Sequence, residues 1–109
     1  MNEAFITGSR AYGIPRENSD IDLAVVVTEQ EARILRNLSD SPRKTVYGRL
    51  NLVLFVNTED GLKRYEAWKR VNDALKLVAP VTKETAISAL DKAGAQNPSH
   101  ADSGEYGGY

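Results

Sequence analysis

Cysteine is missing from the sequence, and no charge of one sign predominates. Without cysteine the chain forms no disulfide and no thiolate metal site. The 14 Lys and Arg residues nearly balance the 15 Asp and Glu residues, which leaves a formal net charge of -1. No overall basic field therefore indicates nucleic acid as a partner, and any binding of an anion must depend on a local arrangement of residues.

Long apolar runs are missing as well. The first ten residues, MNEAFITGSR, include Glu3 and contain no stretch that resembles a signal peptide or a membrane span. We therefore expect a cytoplasmic protein with no membrane partner. What the chain does contain is 109 residues of which 41% are hydrophobic, enough for one folded core.

Apolar runs and helical periodicities alternate along the chain and predict an α/β (α+β) fold, a small mixed sheet with helices packed against it. The predicted order is β, β, α, β, α, α. The strands are expected at residues 3–7, 20–27 and 45–56, with Gly48 as a bulge or hairpin turn, and the helices are expected to begin at Thr28, Thr58 and Thr82. Residues 1–93 are predicted to form the domain and residues 94–109 a flexible C-terminal tail, because the hydrophobic periodicity ends at Gly94.

The predicted helices carry apolar residues three or four positions apart, which are expected to face the core. In the first long helix these are Ile34, Leu35 and Leu38. In the second they are Leu62, Tyr65, Trp68, Val71, Leu75 and Val78, and in the last they are Ala86, Ile87 and Leu90. This placement favours packing in the core over base stacking for the two large aromatic residues.

Two acidic residues stand where the second strand begins, in the stretch SDIDLAVVV. Residues two apart in a strand project to the same face, so Asp20 and Asp22 are expected to point together while Ile21 and Leu23 point into the core. Two such carboxylates repel each other unless a cation lies between them. Mg²⁺ suits this position, because it binds one or two carboxylates together with substrate phosphates.

A small polar turn precedes these acids. Gly8 and Ser9 follow the first strand and are expected to open a single helical turn whose N–H groups receive a phosphate, and Gly13 lets the chain turn back. Arg10 offers a positive charge in the same loop. A Gly-Ser turn or an Asp-x-Asp pair alone is usually structural, but together they predict a site for a nucleotide triphosphate and its metal.

The turn and the acids together resemble a known family. Gly8-Ser9, ten intervening residues and Asp20-Ile21-Asp22 reproduce the G-S-x10-D-x-D signature of the minimal nucleotidyltransferases in the DNA polymerase beta-like nucleotidyltransferase superfamily. The resemblance implies a nucleotidyltransferase fold and transfer of a nucleoside monophosphate from ATP, or another nucleoside triphosphate, to an acceptor hydroxyl. It also implies Mg²⁺ held by the two acids. The implied nucleotide-binding residues are Gly8, Ser9, Arg10, Gly13 and Ser19.

One position departs from the family pattern. The family carries a third carboxylate between two hydrophobic residues of a neighbouring strand, and the matching stretch of this chain is Leu50-Asn51-Leu52. Asn51 offers a neutral oxygen but cannot take a proton. The predicted catalytic residues are therefore Asp20, Asp22 and Asn51, with an amide in place of an acid.

Three functions stay open at this point. The first is an enzyme whose acceptor lies on a partner protein, as in similar small antitoxin nucleotidyltransferases that modify a paired HEPN toxin. The second is a catalytically impaired module that binds nucleotide or a partner, with a homo-oligomer as one such assembly. The third is a phosphatase of the haloacid dehalogenase type, which is disfavoured because the acids of those enzymes follow a strand, whereas these precede LAVVV.

Overall fold

The computed structural model describes residues 2–95 and has a four-stranded mixed sheet with helices packed against it. The predicted fold class is confirmed. The spatial order of the strands is β1-β2-β4-β3, with β2 and β4 parallel and the two edge pairs antiparallel. In chain order the elements are β1 (Ala4–Thr7), α1 (Ser9–Tyr12), β2 (Ile21–Val27), α2 (Glu29–Leu38), β3 (Thr45–Tyr47), β4 (Leu50–Val56), α3 (Glu59–Leu77) and α4 (Lys83–Lys92).

The two central strands, β2 and β4, are buried on both faces, which explains their nearly continuous hydrophobic sequences. Alternate residues of each strand point to opposite faces. Those that pack with α2 are Leu23, Val25, Val27, Leu52 and Leu54. Those that pack with α3 are Ala24, Val26, Val53 and Phe55. The side chains of β4 therefore alternate between two buried faces.

The predicted strand at residues 45–56 is a hairpin. Tyr47 pairs with Leu50, and Gly48 takes a φ of 63° in the turn between them. That left-handed conformation favours glycine, because a side chain would crowd the backbone. Of the two alternatives for Gly48, the hairpin turn is the one observed.

Helix α2 begins as predicted with a capping box. The Thr28 hydroxyl accepts from the Glu31 N–H at 3.0 Å, and the Glu31 carboxylate accepts from the Thr28 N–H at 2.9 Å. The bond from the Thr28 backbone also lowers the pKa of Glu31. The start of this helix is thus determined by contacts within four residues.

The apolar stripe predicted for α2 is only partly present. Leu35 packs against the sheet beside the buried Ala32, but Ile34 is 52% exposed and Leu38 is 66% exposed. Ile34 lies two positions after Ala32 and therefore points away from the sheet, and Leu38 is the last residue of the helix. The prediction that these two side chains face the core is wrong.

The predicted core face of α3 is largely confirmed. Tyr65 and Trp68 are buried with their rings edge-on to Phe55, at centroid distances of 5.5 and 5.6 Å, so both pack in the core. Leu62 and Val78 are exposed, which contradicts the prediction. Leu62 lies in the first turn of the helix, and Val78 follows its last residue.

The last helix, α4, is capped by Thr82 as predicted and buries Ala86 and Leu90. The predicted flexible tail begins at residue 94, and its residues 96–109 lie outside the described part of the chain. No helix within residues 2–95 has the length and apolar character needed to cross a membrane.

Candidate functional site

Asp22 and Asn51 are neighbours on the two central strands. Asp22 is the second residue of β2, Asn51 is the second residue of β4, and the parallel pairing places them in register. Both are buried, with exposures of 3% and 6%. Asp20 lies just before β2, one residue outside the strand that was predicted to include it.

The side-chain amide of Asn51 joins the two acids. Its Nδ2 donates to Asp20 Oδ2 at 3.2 Å and to Asp22 Oδ1 at 3.1 Å. Because a carboxylate can only accept and the amide NH₂ can only donate, the chemistry of the two acceptors determines which way the amide faces. The two carboxylates therefore converge on one nitrogen atom.

The face that carries Asp22 is itself part of the core. Ala24, two residues further along the same face, is fully buried under α3. Ile21 was predicted to point into the core, but it is 38% exposed, so that prediction is wrong. The reason is its position as the first residue of β2, at the rim of the sheet.

Gly8 lies directly against Asp22. It connects β1 to α1 with a φ of 71°, and a Cβ built on it would lie only 2.1 Å from Asp22 Oδ2. Thr7 and Asp22 are partners in the antiparallel pairing, which explains the close approach of the turn to the acid. Ser9 is buried beside Gly8 at the start of the single helical turn α1. The predicted juxtaposition of the Gly-Ser turn and the acid pair is present.

Buried polar groups connect α3 and α1 through β1, next to the acid pair. Trp68 Nε1 donates to Thr7 Oγ1 at 3.0 Å, and that hydroxyl contacts the Tyr12 hydroxyl at 3.5 Å. Burial raises the pKa of Tyr12, and the charge of Asp22 adds to this rise against opposing hydrogen bonds from Thr7 and Gly8. Tyr12 thus stays a neutral phenol beside the acids.

Replacing Trp68 with phenylalanine is expected to lower the free energy of unfolding by about 1–3 kcal/mol, because the buried Thr7 hydroxyl loses its donor. Urea denaturation measures the loss. The matched variants are Thr7→Val and the double variant. If the bond couples the two residues, the double variant loses less stability than the sum of the single losses, and strictly additive losses would contradict the coupling.

Two arginines hold the loop that leads to Asp20. Arg10 Nη2 donates to the carbonyl groups of Arg16, Glu17 and Ser19 at 3.2, 3.3 and 2.8 Å. Arg49 Nη2 donates to those of Glu17 and Ser19 at 2.7 and 3.1 Å. Sequence reasoning missed this role of Arg49. The available signal was the two-residue spacing of Arg49 and Asn51, which in an extended chain puts both side chains on the same face.

Gly13 and Ser19, both predicted to bind nucleotide, shape this loop. The Gly13 N–H donates to the Ser9 carbonyl at 2.9 Å and closes α1. Ser19 closes the following turn, since its hydroxyl accepts from the Arg16 N–H at 2.7 Å. Their contact with nucleotide stays a prediction.

The donor set of the site consists of oxygen atoms. Asp20 and Asp22 supply two carboxylates, whereas Asn51 turns its Nδ2 and not its oxygen toward them, so a cation held by both acids would displace the amide. Within residues 2–95 no group of three or more His, Cys, Asp or Glu side chains is placed to hold a metal ion. This donor set fits a hard divalent cation that takes its remaining ligands from water and substrate, as Mg²⁺ does.

Comparison with models of protein families matches residues 2–87 to the nucleotidyltransferase domain. The matched range contains the Gly-Ser turn, both acids and Asn51, and it supports nucleotidyl transfer with a nucleoside triphosphate as substrate. No curated protein and no solved structure matches the chain. The resemblance to the minimal nucleotidyltransferases is confirmed, and the chain belongs to the nucleotidyltransferase domain family.

Proposed function

We propose that this protein is a Mg²⁺-dependent nucleotidyltransferase that transfers AMP from ATP to an acceptor hydroxyl. Membership of the family supports nucleotidyl transfer from a nucleoside triphosphate. The observation that carries the finer proposal is the convergence of Asp20 and Asp22 on the Asn51 amide, with Gly8 against the other carboxylate oxygen of Asp22. A metal-bound triphosphate requires carboxylates that bind the metal and, beside them, a turn whose N–H groups bind phosphate.

In the proposed reaction the Gly8-Ser9 turn receives the terminal phosphates, and Asp20 and Asp22 hold Mg²⁺, which neutralises phosphate charge when bound. The acceptor oxygen bonds to the α-phosphorus, the bond to the β-phosphate oxygen breaks, and pyrophosphate leaves. The proton of the acceptor passes to solvent, because the Asn51 amide cannot take it and the carboxylates of Asp20 and Asp22 are engaged with the cation. Gly8 keeps the turn close to the acids, since any side chain there would displace Asp22.

A second function has a specific observation in its favour. Asn51 donates both of its amide hydrogens to the acids and brings no third negative charge. A site of this kind supports a module that binds nucleotide or a partner protein without transferring the nucleotide. The two functions share the fold and the nucleotide, and they differ in whether a covalent product forms.

The acceptor is proposed to lie on a partner subunit, with toxin–antitoxin pairs of similar proteins as the precedent, or on a second copy of the chain. Residues 2–95 form one sheet with its helices, and within this range the proposed nucleotide site occupies the edge of that sheet. The cytoplasmic location also stays a prediction.

The test uses ATP labelled at the α- or the γ-phosphate, Mg²⁺ and candidate acceptor proteins. Covalent label from α-labelled ATP alone is expected, and Asp20→Ala is expected to reduce it about a hundredfold or more, because the carboxylate that holds the metal is lost. Asp73→Ala is the matched control, since Asp73 is an exposed acid of α3. This control is expected to transfer label at the wild-type rate.

The outcomes separate the candidate functions. Saturable, Mg²⁺-dependent binding of ATP without covalent label would support the binding module. Covalent label from γ-labelled ATP would contradict nucleotidyl transfer, because the terminal phosphate leaves with pyrophosphate. Hydrolysis of a generic phosphoester would favour the phosphatase instead.

A further inference from the structure

Asp20 lies outside the strand that holds Asp22, so the ladder of β2 does not position it. The residues on either side of it both bind Arg49. The Ile21 N–H donates to the Arg49 carbonyl at 2.8 Å, and the Ser19 carbonyl accepts from Arg49 Nη2 at 3.1 Å. One residue of the hairpin thus holds the backbone before and after Asp20.

We propose that Arg49 is a positioning residue that keeps the Asp20 carboxylate beside Asp22. That Arg49 matters for cation binding rests on the proposed function. The hydrogen bonds of Arg49 to Ser19 and Ile21 do not depend on that function. With the backbone held on both sides, Asp20 Oδ2 reaches Asn51 Nδ2, which also binds Asp22. Replacing the Arg49 side chain keeps the bond from its carbonyl to Ile21 but removes the bonds to Glu17 and Ser19, so the loop before Asp20 loses its side-chain link to the hairpin.

Arg10 shares the acceptors of Arg49 and has a different role. Both guanidinium groups donate to the carbonyls of Glu17 and Ser19, which is possible because a carbonyl oxygen has two lone pairs. Arg49 is anchored next to β4, whereas Arg10 belongs to a single helical turn. The bonds of Arg10 stay within one segment of 6 to 9 residues, whereas those of the Arg49 side chain tie this loop to the hairpin 30 to 32 residues away.

Whether replacing Arg49 strengthens or weakens cation binding shows whether Arg49 acts by its charge or by positioning Asp20. Removing a positive charge near two carboxylates strengthens binding of a cation, whereas displacing one of the carboxylates weakens it. Arg49→Ala is expected to weaken the binding of Mn²⁺ alone about tenfold, as loss of a group that orients a metal ligand does. Arg10→Ala removes the same charge but keeps the link of Arg49 to the hairpin, so it is expected to weaken Mn²⁺ binding less than Arg49→Ala does, or to strengthen it.

A second measurement needs no ligand. The NMR signals of the two Asn51 side-chain amide protons report its bonds to the acids. In the cation-free protein, Arg49→Ala is expected to shift the proton that faces Asp20 more than Arg10→Ala does, while Arg70→Ala, a change at an exposed residue of α3, leaves it in place. Arg49→Lys keeps the positive charge but lacks the planar guanidinium. Compared with Arg49→Ala, it is expected to restore the Mn²⁺ affinity and the Asn51 signals only in part.

The proposal is overturned if Arg49→Ala leaves both Asn51 protons unchanged, or if it binds Mn²⁺ as tightly as the wild type does. It is also overturned if Arg10→Ala shifts the Asn51 signals as much as Arg49→Ala does. If the wild-type protein binds neither Mn²⁺ nor ATP, the proposed function fails. The Asn51 signals then still decide whether Arg49 positions Asp20.

Discussion

Replacing Asn51 with aspartate is expected to make the stability of the fold depend on a divalent cation. The change removes two hydrogen bonds and places a third carboxylate where Nδ2 lies 3.2 and 3.1 Å from the oxygens of Asp20 and Asp22. Like charges at such a buried position repel strongly. We expect a loss of about 3–5 kcal/mol in the free energy of unfolding in EDTA.

Urea denaturation of Asn51→Asp with EDTA and with Mg²⁺ measures this dependence. A cation at about 100 times its dissociation constant adds about 2.7 kcal/mol to the stability of a folded state that alone binds it. Asn57→Asp is the matched control, because Asn57 is exposed just beyond β4 and is expected to change stability little. Equal stability of Asn51→Asp and the wild type in EDTA would contradict the bridging role of Asn51.

The same variant tests what limits the proposed chemistry. If the missing charge is the limitation, Asn51→Asp is expected to raise the transfer of label from α-labelled ATP about tenfold or more, with little change in nucleotide affinity. Labelled acceptor is measured against the wild type at saturating ATP and Mg²⁺. An unchanged rate would reject this explanation and would favour the binding module.

Replacing Gly8 with alanine is expected to be the most damaging single-methyl change near the site. The new Cβ would lie 2.1 Å from Asp22 Oδ2, so the acid must leave Asn51 or the turn must move. The φ of 71° with a ψ of -154° lies in a region that essentially only glycine adopts, which adds about 1–3 kcal/mol for a residue with a side chain. Together with the clash, we expect a loss of about 3 kcal/mol or more in stability and the loss of ATP binding.

Gly94→Ala separates the two causes. Gly94 has a similar φ of 69°, but a Cβ there would meet nothing within 4 Å. Its substitution therefore measures the cost of a side chain at a positive φ without a steric clash. Urea denaturation of both variants gives the difference, and a loss for Gly8→Ala no greater than that for Gly94→Ala would show that the contact with Asp22 is unimportant.

Structural features that depend on contacts between residues a few positions apart were predicted correctly. Thr28, Thr58 and Thr82 cap helices where expected, because a cap joins a side chain to a backbone N–H three residues later. Predictions that depend on how a helix lies on the sheet were less successful. Ile34 and Leu38 have helical spacing, but exposure depends on which side of α2 meets the sheet, and spacing alone does not determine that.

The sequence by itself determined the acid pair, the glycine turn before it and the order of strands and helices, because each depends on neighbours along the chain. Only the tertiary structure decided that Asn51 bridges Asp20 and Asp22 and that Arg49 holds Ser19. These contacts join residues 29 to 31 positions apart. They form because β2 and β4 pair in parallel across a helical crossover, and no local pattern specifies the register of that pairing.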